Sequence, residues 1–172
     1  LGQTNLGHGY GPLIRNYVSY LRTKLEFHQR HQDFNGSFNY EEYISLRGVG
    51  NPDEGYQTIS DLLELASKLD RFVRTLITLV GPTNAPNECR VSSLVPFIEE
   101  SFGIYNFLTS MLTALHLTIA SVEPLLPLVE AYNTFFKRIS QFYAECRRII
   151  YLTSLISIPD LPSSCPTFDA EG

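Results

Sequence analysis

Residues 55–80, GYQTISDLLELASKLDRFVRTLITLV, place Tyr56, Ile59, Leu62, Leu63, Ala66, Leu69, Val73, Leu76, Ile77 and Val80 three and four apart. That spacing puts all ten on one face of a helix about seven turns long, and it cannot be satisfied by a strand, whose faces alternate every residue. An apolar stripe of this length has to be covered by other elements, so it commits the chain to helix-on-helix packing. Gly81 and Pro82 supply the stop signal at its end.

The same reading extends in both directions. From Pro12, suited to a first helical turn, Leu13, Ile14, Tyr17, Val18, Leu21, Leu25 and His28 mark an inward face, with Arg15, Arg22, Glu26 and Arg30 off it. A break at DFNGSF leads to a short helix over 41–47, for which Asn39 is the expected cap, with Glu42 three residues on. GVGNPDEG reads as a loop, and so does PTNAPNE. A very apolar segment over 89–120 is expected at the centre, kinked or broken at Pro96. The last long helix is expected over 128–155, turning Val129, Tyr132, Phe136, Ile139, Phe142, Tyr143, Cys146 and Ile150 inward. No strand pair and no repeat of fixed period is visible. The fold class is therefore all-α: antiparallel helices stacked as a bundle or a short superhelical solenoid. A flexible glycine-rich lead is expected over 1–11, a helical body over 12–158 and an extended tail over 159–172.

A chain of 172 residues suits one domain, and its 44% hydrophobic content is enough for a core. Thirteen Lys and Arg against eighteen Asp and Glu give a net charge of -5 with no basic stripe, which argues against nucleic acid as a partner. Cys89, Cys146 and Cys165 are scattered without a CxxC pair, which predicts reduced thiols in a cytosolic protein, with Cys89 and Cys146 in the core. The first residue is Leu1 rather than Met, so a piece of a longer protein is expected.

Catalytic signatures are missing: there is no GxxxxGK loop, GxSxG elbow, HExxH pair or EF-hand loop. No cofactor is expected. Asp53 and Glu54 sit where a helix begins, and there negative charge complements the macrodipole. His28 and His31 share a helical face but lack a third metal ligand nearby. A hydrolase using His28 or His116 as base lacks a paired nucleophile in sequence, and no enzyme activity is expected. LRTKLEFHQRH gathers Arg22, Lys24 and Arg30, with His31, as candidate contacts for an anionic surface, each cation worth about 1 kcal/mol there. Against that stand Glu26 in its middle and Lys24 turned away from Arg22, so the simpler expectation is a solvated helix face. Lys68, Arg71 and Arg74, interleaved with Asp61, Glu64 and Asp70, read as exposed pairing within one helix. Lys137, Arg138, Arg147 and Arg148 form a third, scattered group.

Three longer stretches carry a family resemblance: GYGPLIRNYVSYLRTKLEFHQRHQDFNGSFNYEEYISLRGVGNPDEGYQTISDLLEL, NECRVSSLVPFIEESFGIYNFLTSMLTALH and YLTSLISIPDLP. They resemble the AP180 N-terminal homology (ANTH) domain, in the branch of fungal endocytic adaptors related to huntingtin-interacting protein 1. The likeness covers nearly all of the chain, as the C-terminal two-thirds of one domain. It implies a superhelical helix stack that binds phosphatidylinositol 4,5-bisphosphate and co-assembles with the ENTH domain of epsin. It further implies contacts to clathrin light chain and actin through other domains, at endocytic actin patches of the plasma membrane. The family's lysine- and histidine-rich lipid motif matches nothing in this segment, so no lipid-binding role passes to a residue here. Helices absent from the segment would leave an apolar strip, so the segment is expected either to self-associate or to retain those helices as a separate chain. A rival implied by the clathrin-assembly branch is a groove between the 89–120 and 128–155 helices that takes a SNARE helix. The tail IPDLPSSCPTF, if it filled that groove, would count against it.

Overall fold

Asn51 opens the longest uninterrupted amphipathic helix: its side-chain Oδ1 accepts the Asp53 N–H at 3.1 Å and its carbonyl accepts from Gly55 at 2.8 Å. Pro52 follows in the first turn, where its missing N–H costs nothing. In the computed structural model, residues 2–80 and 88–168 are described, with side chains from Tyr10 onward. The elements are α1 (Gly2–Arg30), α2 (Glu42–Gly48), α3 (Pro52–Val80), α4 (Glu88–Ser92), α5 (Val95–Thr118), a 3₁₀ turn (Glu123–Leu125), α6 (Leu126–Arg147) and α7 (Ile150–Leu155). There is no strand among the described residues.

The helices stack in chain order around α3. One side of α3 takes α1, the other takes α5 and α6, and α2 lies on α5. The predicted α3 stripe is the core: Ile59, Leu62 and Ala66 are fully buried and all the rest but the half-buried Tyr56 are buried too. Leu65 and Phe72 join them, so the apolar face is wider than the stripe, as a helix covered from two sides requires. α5, the most apolar helix, buries Ile104, Phe107, Leu108, Met111, Leu112 and Leu115 completely and occupies the centre.

Several expectations change. Helix α1 begins at Gly2, so the lead expected to be flexible is helical and Pro12 lies inside the helix. Once a long helix is nucleated, each added residue gains a backbone bond, which outweighs weak glycine propensity. The segment around Pro96 is broken, at Ser93 and Leu94, and Pro96 sits in the first turn of α5. The helix expected over 128–155 divides at Arg148–Ile149, where Arg148 and Ile149 make tight i→i−3 bonds and Ile149 turns extended. Ile150 falls beyond the break and is 85% exposed instead of inward. Cys146 is buried, its thiol pushed up to about 12 by burial, whereas Cys89 is exposed and not a core residue. The Gly81–Pro82 stop and most of the PTNAPNE loop lie outside the described residues.

The α1–α2 connection is held differently from expectation. Asn39 does not cap α2, whose N-cap position is Glu41 without a side-chain bond. Asn35 does the work one step earlier: its Oδ1 accepts the N–H groups of Ser37 and Asn39 at 3.1 and 3.0 Å, and its Nδ2 donates to the Asn39 carbonyl. This ring of bonds carries Phe38 through φ 54, the left-handed region that side chains other than glycine's avoid. Phe38 is thereby driven into the core, 1% exposed, against Phe27 and Phe34.

Candidate functional site

The face of α1 that enters the core overlaps the predicted one along one edge only, where Leu13, Leu21 and His28 pack against it. Tyr20 and Phe27 are buried, while Ile14, Val18 and Leu25 are 59%, 47% and 66% exposed. Tyr17 is half outward too, although its ring meets Phe72 at 4.9 Å. The apolar surface of α1 is wider than one stripe, and packing rotated the helix so that Tyr20 and Phe27 take the centre while Leu13, Leu21 and His28 lie at its edge.

That rotation decides what the basic stretch can do. Lys24 points inward, its Nζ 2.8 Å from Glu100 Oε1 on α5, with its side chain 19% exposed. The Tyr20 hydroxyl donates to the same oxygen, and burial beside that carboxylate raises its pKa far above the ordinary phenol value. Lys24 also lies over the rings of Tyr20 and Phe38. A carboxylate inside the most apolar helix is stable only with such partners, since an unpaired buried charge is costly. The signal was available in sequence as Glu100 within VPFIEESFGIYNF, but nothing in sequence paired it with Tyr20, 80 residues away.

Arg30 is also engaged. Its guanidinium lies 3.6 Å from Asp61 Oδ2, and His31 Nε2 donates to that oxygen at 2.7 Å. Gln57 Nε2 donates to the other Asp61 oxygen at 2.8 Å. Asp61 is therefore a buried tie between α3 and α1 rather than part of an exposed ridge. Arg74 does pair with Asp70 within α3 at 3.0 Å, and Arg138 reaches the same carboxylate from α6. Of the three candidate contacts, Arg22 has no ion-pair partner among the described residues. It lines a groove of about 470 Å³ with Ile14, Arg15 and Val18 of its own helix, across from Glu64 and Lys68 of α3. The structure thus does not bring Arg22, Lys24 and Arg30 together.

The histidines are equally committed. His28 packs against Phe27 and Phe38, with Nε2 buried and without a hydrogen-bond partner, and burial lowers its pKa, helped by Lys24. Thr58 Oγ1 lies 3.4 Å from His31 Nδ1, which resembles a nucleophile–base pair. The Thr58 proton goes instead to the Glu54 carbonyl at 2.8 Å, and Thr58 is buried, so the row is a structural tie. His116 Nδ1 donates to the Leu112 carbonyl at 2.7 Å and its ring stacks on Phe168. Among the described residues no three His, Cys, Asp or Glu side chains gather to hold a metal, and no helix is long and apolar enough to cross a membrane.

The tail returns to the body. Arg147 donates to the Pro159 carbonyl at 2.6 Å and meets Asp160 at 3.1 Å. Cys165 Sγ approaches Asn133 Oδ1 at 2.9 Å, and Phe168 packs between His116 of α5 and Tyr132 of α6. The groove expected between the two C-terminal long helices is occupied by the chain itself.

Comparison with known proteins places this architecture. Residues 2–171 match the ANTH domain. Endocytosis protein end4 of Schizosaccharomyces pombe is 51% identical over 95% of this chain, and Protein SLA2 of Saccharomyces cerevisiae is 46% identical over 93%. The chain spans only 15% and 17% of those two proteins. Human huntingtin-interacting protein 1 is 25% identical over 95% of the chain, which covers 16% of that protein. Among solved structures, one described as the ENTH domain from epsin-2 in complex with phosphatidylinositol 4,5-bisphosphate superposes with a TM-score of 0.82 at 50% identity, over 88% of this chain and 59% of that one. The endocytic adaptor complex AENTH gives 0.72 at 46%, over 88% and 60%. Helical ANTH and ENTH tubules on PI(4,5)P2-containing membranes give 0.69 at 44%, over 92% and 60%.

Proposed function

The chain belongs to the ANTH domain family, and from that premise we propose that it is the C-terminal portion of one such domain, serving an endocytic adaptor in recognition rather than catalysis. The observation that carries the reading is the match across residues 2–171, joined to backbone agreement with structures described as bound to that phosphoinositide or to membranes containing it. In this reading the complete domain is peripheral at endocytic sites of the plasma membrane, binds phosphatidylinositol 4,5-bisphosphate and co-assembles with the ENTH domain of epsin. The full-length protein couples the coat, through clathrin light chain, to actin at actin patches.

The headgroup is held outside this segment. Lys24 and Arg30 are spent on Glu100 and Asp61, and neutralising a phosphate with them would strip buried carboxylates of their partners. Arg22 alone retains the secondary role considered for the three. The SNARE-groove alternative loses support from Phe168, which fills the space between α5 and α6.

Liposome co-sedimentation tests this. The chain and a version extended to the full length of the matched domains are spun with vesicles containing or lacking phosphatidylinositol 4,5-bisphosphate. Pelleting of the extended form alone, only with the phosphoinositide, is the expected result. Salt-sensitive pelleting of the chain itself, lost in Arg22→Ala, would overturn the placement of the lipid chemistry.

A further inference from the structure

Along the outer side of α5 run two adjoining hollows of about 520 and 580 Å³, which share Tyr40 and Asn106 and so form one trough. It extends from Glu99 to Leu117, roughly 27 Å at the rise of a helix. Leu46 and Tyr40 form one wall, and the start of the tail, Ile156 to Pro159, closes the far end. It adjoins the groove that Phe168 fills, the two being separated by Tyr132, which bonds Thr109 on the trough side and meets Phe168 on the other.

The floor is polar by composition and apolar by chemistry. Thr109 Oγ1 donates to the Tyr105 carbonyl at 2.8 Å and shares a bond with the Tyr132 hydroxyl at 2.7 Å. Ser110 bonds Ser45 at 2.8 Å, and Thr113 donates to the Thr109 carbonyl at 2.7 Å. With these three hydroxyls satisfied internally, an apolar occupant covers them without breaking a hydrogen bond, and the Asn106 amide at the junction of the two hollows is left to meet a polar group of the occupant. At its walls Leu46 and Leu117 are 51% and 78% exposed, apolar side chains open to an occupant.

Charge specifies the occupant. Glu42 and Glu99 line the trough, and no Lys or Arg does among the described residues. The absence of any strand among the described residues leaves no sheet edge for an extended peptide to join, so the fitting mode is a helix laid in a groove. We propose that the trough between α2 and α5 is the seat of an amphipathic helix from a partner protein, apolar on its buried face and bearing Lys or Arg at its margins. The charged margins meet Glu42 and Glu99 and set orientation, while Leu46, Ala114 and Leu117 contact the apolar face.

Two synthetic 18-residue helices test it, sharing one Leu/Ala face and differing only in flanking Lys or Glu. Each is titrated at physiological salt into the isotopically labelled chain, with amide signals followed by NMR. The Lys helix is expected to bind one to one, to shift signals of α2 and α5, and to bind about tenfold more tightly than its Glu twin. Ala114→Arg, which fills the trough, and Leu117→Asp should each weaken it by about tenfold or more. Leu117 is 78% exposed, so its variant keeps the core; Ala114 is partly buried against the core, so its variant counts only where the amide spectrum remains that of the folded chain, and Ile150→Asp on α7 should change nothing. Equal binding of the twins, shifts confined to other helices, or a dimer of the chain dissolved by Leu117→Asp would each overturn the proposal. Leu117→Asp is expected to leave phosphoinositide sedimentation of the extended domain intact, so this inference and the lipid reading fail separately.

Discussion

The carbonyl of Phe38 rests directly against Gly103 of α5, in the space a Cβ on that glycine would occupy. A left-handed residue in one loop and a glycine in the central helix are thus one feature: the turn that Asn35 braces is pressed onto α5, and only a residue without a side chain permits the contact. Gly103→Ala should cost about 2 kcal/mol by overpacking, despite alanine's better helix propensity. Urea denaturation measures it, and a gain in stability would show that the loop yields.

Glu100 serves two partners, the Lys24 ammonium and the Tyr20 hydroxyl. Glu100→Ala should lose about 3 kcal/mol, because it leaves a largely buried lysine unpaired. Adding Lys24→Met should recover much of that loss. The same urea midpoints decide it, and additive losses in the double variant would mean that the pair is not coupled.

His28 is held below its ordinary pKa by burial and by Lys24, with Glu100 opposing and His31 adding a little. The unfolded chain therefore binds a proton more readily than the folded one. Stability is complete above about pH 6.5 and falls as pH drops toward the folded value. Denaturation midpoints at pH 7.5 and 5.5 should show a decline that is smaller in His28→Gln.

Phe168 pins the tail across α5 and α6. Phe168→Ala should release the tail while the body stays folded, since Phe168 lies at the margin of the core, 9% exposed, against only His116 and Tyr132 among the rings. Limited proteolysis reads this as cleavage near 159–168 at least several times faster, with little change in the thermal midpoint of the body. A collapse of the midpoint would make the tail part of the cooperative unit.

The outward stripe of α1, with Ile14, Val18 and Leu25, is an apolar helix face open to solvent in this chain. The isolated chain should self-associate or bind an apolar dye, and Ile14→Asp with Leu25→Asp should reduce both. Light scattering of a monodisperse wild-type chain without dye binding would remove the expectation.

The limits of sequence reading fall at particular residues. The α3 stripe was legible because one face is apolar and the other charged, so only one orientation buries it. In α1 the same rule found Ile14, Val18 and Leu25 but could not see that Tyr20 meets Phe72 of α3 and Phe97 of α5, or that Phe27 meets Phe34 and Phe38 of the following turn. The basic stretch reads in sequence as a solvated face with Lys24 turned from Arg22; the turn is there, but it carries Lys24 to Glu100 and Arg30 to Asp61 and leaves only Arg22 to solvent. The splits begin at Ser92–Ser93, three residues before the proline where a break is expected, and at Arg147–Arg148, where apolar residues resume at Ile149 and so mask the break.

By itself, then, the sequence determined the all-helical class, the core face of α3, the central place of α5 and the family, because periodicity and local motifs are properties of neighbouring residues. Tertiary structure alone decided which side of α1 is buried, which carboxylates its cations serve and where the tail lies. Those outcomes depend on partners such as Glu100 and Asp61 that only packing brings within reach, where burial makes an unpaired charge too costly to leave alone.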